Sequence, residues 1–248
     1  MRFLVIILAL AAFLAMLVVK VPLGFVLERA GLPNGDVKFS SVEGTVWSGR
    51  LNGVEAAGQP IGDIVLNARP QLLLTGAFGY SVQWGGPAGR GTGQISVAPG
   101  RVHLKDVKLE QNLGAMEGLT NTVRAFGGVL RLRDGQIRLT ESECLSAGGT
   151  ITSDILTKAG ASYGRAFGPI SGDLRCENGA IVIALKSTSE VGDKVDAMTE
   201  VWLNGRSEVE VDVTTNDVEL GAALAELQFR REEGVWRYSR IDGVGGQQ

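Results

Sequence analysis

The chain is short of the groups on which most enzyme chemistry rests. In 248 residues it has one histidine, His103, and two cysteines, Cys144 and Cys176. A tetrahedral metal site built from these would need several unrelated carboxylates to complete it, so no metal centre is expected. His103 falls in an alternating, strand-like segment with no serine or acid arranged around it, and reads as a structural histidine rather than a general base. No Gly-Lys-Ser/Thr loop is present, and Gly89-Arg90-Gly91-Thr92-Gly93 lacks the third glycine and the strand-to-helix setting of a dinucleotide loop. It reads as a turn, and no cofactor is expected. The carboxylate pairs Glu208/Glu210 and Glu232/Glu233 fall on the polar side of a strand and in a charged turn, where solvation is the default reading. There is no basic run, and 24 basic against 27 acidic residues leaves no field for a nucleic-acid partner.

Aromatics are scarce at 6%, whereas glycine reaches 35 residues, a balance that suits short strands and tight turns better than a helical bundle. Phe3–Val19 is an uninterrupted apolar run of 17 residues between Arg2 and Lys20, close to the length that spans a bilayer when helical. The competing reading is a cleaved signal. Ala9-Leu10-Ala11 is a small-x-small sequence, but cleavage there would leave too short an apolar core. The expectation is a cytoplasmic stub and single transmembrane helix over 1–27. Lys20, Arg29 and Lys38 outnumber Arg2, so the positive-inside count does not orient the span. A short charged tail retained in the cytoplasm and the cysteine pair together orient residues 28–248 toward the periplasm of an inner membrane.

Beyond the anchor, hydrophobicity alternates with period two in one segment after another, which predicts an antiparallel meander: a curved sheet or open, barrel-like domain with a few short helices. Pro99-Gly100, Asp134-Gly135, Asn178-Gly179 and Asn204-Gly205 each sit between alternating runs and predict hairpin turns. Helical spacing is confined to Leu113–Phe126, Asp217–Gln228 and, more weakly, Asp154–Phe167 with Ser153 or Asp154 as cap. The glycine-rich stretch 85–93, or the region near 127, is where two lobes would divide.

Cys144 and Cys176 admit a disulfide, two free thiols or a redox pair. Their spacing is unlike C-x-x-C and the inferred compartment is oxidising, which favours a structural bridge. Leu130, Leu132, Ile137 and Leu139 share one face of their segment and Arg131, Arg133 and Arg138 the other, which makes the arginines a candidate interaction stripe or an ordinary wet face.

Gly44-Thr45-Val46-Trp47-Ser48-Gly49, following the Val21-Pro22 end of the apolar segment, resembles the opening of protein N of the bacterial type II secretion system. Pro70–Gly76 (PQLLLTG) and the Cys144–Leu185 region, with Cys-x-x-x-Gly-Gly and Gly-Asp-Leu-x-Cys-x-x-Gly, are similar to later parts of that family. The resemblance implies an accessory inner-membrane component of a machine that exports folded proteins, with secretion proteins as partners and no known enzymatic activity. Within the motif, Trp47 is expected to pack against the sheet, Ser48 to follow it, and Gly44 and Gly49 to set turn geometry. The alternative is a membrane-anchored lipid-handling module whose sheet forms an apolar groove. An open, solvent-reached apolar face would distinguish it from a packed core.

Overall fold

A computed structural model describes residues 6, 16, 19–29, 31–33, 37–56, 58–116, 119 and 121–243. Apart from Ile6, Met16 and Val19, the predicted anchor Phe3–Val19 lies outside the described residues. Among the described residues no helix is long and apolar enough to cross a membrane.

Period-two alternation places successive side chains on opposite faces, and among the described residues these segments form a single sheet of 15 strands. They are β1 (Val37–Lys38), β2 (Ser41–Gly44), β3 (Ser48–Ala56), β4 (Gln59–Ala68), β5 (Phe78–Gly86), β6 (Gly89–Ala98), β7 (Arg101–Asn112), β8 (Val129–Leu139), β9 (Cys144–Ser153), β10 (Ile170–Glu177), β11 (Ala180–Thr188), β12 (Lys194–Val201), β13 (Ser207–Thr214), β14 (Arg230–Glu232) and β15 (Val235–Asp242). From β3 to β13 each strand pairs antiparallel with the next. β13 then pairs with β15, β14 forms the far edge, and β1 and β2 share the near edge along β3. Among the described residues the sheet is an open meander and does not close into a barrel. Residues 85–93 lie within the β5–β6 hairpin, whose ladder runs unbroken from Phe78↔Val97 to Gly86↔Gly89.

Turn chemistry decided most connections. Asn178 and Gly179 both adopt positive φ, as a type I′ turn requires, between Glu177 and its partner Ala180. Pro99-Gly100 closes the β6–β7 hairpin, with Gly100 at φ +66°. Asn204-Gly205 lies in a longer loop, where the Asn204 side chain accepts the Arg206 N–H. The Asp134-Gly135 hairpin is a correction: β8 runs straight through these residues and they form a bulge. An Asp-Gly pair tolerates the positive φ of either feature, and here Leu130–Arg133 and Ile137–Leu139 pair with the same two neighbours, so the chain does not reverse. β7 bulges beside it at Asp106, and the β6–β7 ladder shifts between Thr92 and Gln94. The irregularities thus cross β6 to β9 side by side as a crease.

The helices whose bounds fall among the described residues are short: α1 (Leu23–Arg29), α2 (Asn121–Phe126), α3 (Ile155–Ser162) and α4 (Val218–Glu226), with 3-10 turns at Pro70–Thr75 and Leu113–Ala115. Asp217 caps α4 by accepting the Leu220 N–H at 2.7 Å. Asp154 precedes α3, but its carboxylate accepts the Val129 N–H at 2.6 Å and so ties the helix to the start of β8. Ser153 Oγ accepts the Ile155 N–H instead. Although desolvation opposes it, that backbone bond and the Lys158 charge hold Asp154 below the usual carboxylate range.

Register fixes which side chains share a face. One row runs Leu51, Ile64, Trp84, Gly91, Leu109, Leu132, Ile151, Gly172, Leu185, Ala197, Val211 and Tyr238, each opposite the next across twelve strands. Between β4 and β13 the ladder positions on this face carry no charged side chain, while the opposite face carries the arginines, lysines and carboxylates. Helices cover the apolar face only near its ends. Leu23 of α1 packs with Leu51 and Val54; α3 and α4 cover Phe167, Ile170, Val195 and Val213. In between, Trp84, Ile95, Leu104, Leu109, Leu132 and Ile137 are only half-buried.

Candidate functional site

Gly44–Gly49 forms the tight link from β2 to β3. The Thr45 N–H donates to Ser48 O at 2.9 Å and the Trp47 N–H to Thr45 Oγ1 at 3.3 Å, closing the turn. Three other parts of the chain are gathered onto it. The Val46 N–H donates to Val21 O at 3.0 Å, the Ala68 N–H to Trp47 O at 2.8 Å, and the Tyr80 hydroxyl to Val46 O at 2.9 Å. Ser48 Oγ donates to Asn67 Oδ1. Burial raises the Tyr80 pKa, in keeping with a phenol that keeps its proton and donates it. Both glycines have steric reasons. Gly44 stands at φ +87°, and a Cβ on Gly49 would overlap Leu23 Cδ2. The motif is therefore a clasp that holds the segment leaving the apolar run against the first strands. Trp47 is half-buried within it.

Arg131, Arg133 and Arg138 share the polar face, as their alternation predicts. The first two line a cleft of about 620 Å³ together with Arg90, Lys108, Glu110 and Asp134, and with Trp84, Gly91, Leu109 and Leu132 of the apolar row. Glu110 bridges Arg90 at 3.0 Å and Arg131 at 3.3 Å. Lys108 and Arg133 make no ion pair among the described residues and leave positive charge in the cleft. Arg138 lies apart, beyond the crease, with Nε 3.5 Å from His103 Nε2. Arg90 and Lys108 are absent from the predicted stripe because they come from β6 and β7, and only register reveals that they share a cleft with β8.

Burial, then the Lys105 and Arg138 charges, holds His103 below the usual imidazole range. The unfolded side chain titrates near 6.5, so below that pH the unfolded chain binds more proton. This contribution to stability is present above about pH 6.5 and is lost as pH falls toward the folded value. His103→Gln is expected to flatten that part of the profile, measured as urea midpoint against pH; a profile parallel to the parent would overturn the assignment.

Cys144 and Cys176 are bridged, Cα to Cα 5.6 Å, joining β9 to β10. A further polar cluster escaped the sequence reading. Buried Asp193 accepts Thr215 Oγ1 at 2.8 Å and Ser189 Oγ at 3.1 Å, fastening the β11–β12 loop to the approach to α4. Its hydrogen bonds run within the cluster and tie these two loops together. Ser189 and Thr215 lie 26 residues apart in sequence, so no local signal marks them.

No group of three or more His, Cys, Asp or Glu able to hold a metal occurs among the described residues. What the fold displays is broad surface on an open sheet, one face without charged ladder positions between β4 and β13 and the other basic at its centre. A family model for type II secretion system protein N matches residues 35–238, and the chain belongs to that family. It is a family of secretion-machinery components, not known as enzymes. No curated protein and no solved structure matches the chain.

Proposed function

We propose that the chain is an accessory component of the type II secretion machinery, held in the inner membrane by residues 1–27, with residues 28–248 in the periplasm, and that it acts by protein–protein contact. The observation that carries this reading is the basic cleft centred on Arg131 and Arg133, on a chain of the secretion family. Positive charge left over at Lys108 and Arg133 favours an acidic partner surface, and such complementarity acts mainly through encounter rate and specificity. The disulfide and the seventeen-residue apolar run support the topology.

In-cell crosslinking from a photoreactive residue at Thr92, beside the cleft, tests the reading. Expected products are adducts with other secretion components, reduced at least ten-fold by Arg131→Glu with Arg133→Glu. Adducts that survive the charge reversal, or that contain no secretion component, would remove the cleft from the interaction.

A further inference from the structure

We propose that the apolar face of the sheet is a trough for the hydrocarbon chains of membrane phospholipid. This goes beyond the secretion reading and shares with it only the assignment of Phe3–Val19 as a membrane anchor.

The face is continuous. Its row of paired positions crosses twelve strands, with the ends covered by α1 and by α3 and α4 and the middle, from β5 to β8, left open. No charge interrupts it between β4 and β13. A sheet that uses this face as an ordinary core would bury its large side chains, yet Trp84, Leu109 and Leu132 at the centre remain partly open to solvent, and Phe78 and Val97 are 37% and 47% exposed. Such extended apolar exposure marks a surface that something covers.

Two observations select the occupant. Backbone groups in the central strands are committed to the ladder on both sides, so a peptide strand can add only at the sheet edges, and the face offers contact without directed hydrogen bonds. Hydrocarbon asks for nothing more. Next, the trough starts where the chain leaves the apolar run: Val21 is held by Val46, and Leu23 packs on Leu51, the first member of the row. Its mouth thus adjoins the anchor.

The test reconstitutes the full chain in phosphatidylethanolamine and phosphatidylglycerol vesicles doped with a phospholipid bearing a diazirine at its acyl terminus. After photolysis, adducts are mapped on tryptic peptides by mass spectrometry. Adducts are expected on β5–β8 as well as on Phe3–Val19. Phe78→Asp with Val97→Asp places charge at already exposed positions and should lower the β5–β8 adducts at least ten-fold while leaving those on the anchor unchanged. The retained disulfide and far-UV circular dichroism report the fold. Adducts confined to Phe3–Val19 would overturn the trough and leave the anchor standing. Their absence from both regions would overturn trough and anchor together. A photoreactive residue at Val97 that, in the same vesicles, crosslinks to the apolar face of a second copy in place of lipid would assign the face to self-association and overturn the proposal. Secretion-partner crosslinks from Thr92 are read separately, so either idea can fail without the other.

Discussion

Replacing Cys144 and Cys176 together by alanine should lower stability by about 3–4 kcal/mol, the loop-entropy value for a bridge across 32 positions. For a chain of this size that is a fall in Tm on the order of 10 °C. The bridge sits at a weak point of the sheet. β9 and β10 share only four ladder pairs, from Ser153↔Ile170 to Thr150↔Asp173. Past these the strands are joined by the disulfide and by the Cys144 N–H bond to Gly179 O. Opening it should separate the meander into two parts that exchange amide protons at different rates, with the largest loss of protection in β9 and β10. Denaturation midpoints that coincide with and without reductant would show that the four pairs suffice.

Leu23→Ala should cost about 2–4 kcal/mol, the range for emptying a buried leucine site. Leu23 is 3% exposed against Leu51 and Val54, and it is the contact by which the segment after the apolar run engages the sheet. Gly49→Val should do similar damage from the other side, because any Cβ there meets Leu23 Cδ2 and the carbonyls of Glu43 and Thr45. Both changes break one contact, so the double variant should fall well short of the sum. Limited proteolysis after Arg29 should accelerate in each variant, while β10–β15 keep their protection. Strict additivity would mean that Leu23 and Gly49 do not act through each other.

Much of this architecture was legible in the sequence because its determinants are local. Period-two alternation gave the strands and their apolar faces, Pro99-Gly100 and Asn178-Gly179 gave their turns, and Asp217 gave the start of α4. Asp134-Gly135 misled for a physical reason: two adjacent residues state that positive φ is tolerated, and only the pairing of Leu130–Leu139 with β7 and β9 decides between reversal and bulge. The arginine stripe was visible on β8, yet Glu110, Lys108 and Arg90 join it through register, which one strand's sequence does not encode. The same holds for Leu23 against Gly49 and for Tyr80 on Val46, each pair brought together by the clasp across 26 and 34 positions.

The margins of the sheet are two residues at β1, four at β2 and three at β14, where Arg230, Arg231 and Glu232 are all exposed. Brief, charged rims are poor templates for another strand. Stringing copies rim to rim into a ribbon is therefore disfavoured, and the two broad sides are the larger surfaces the tile offers.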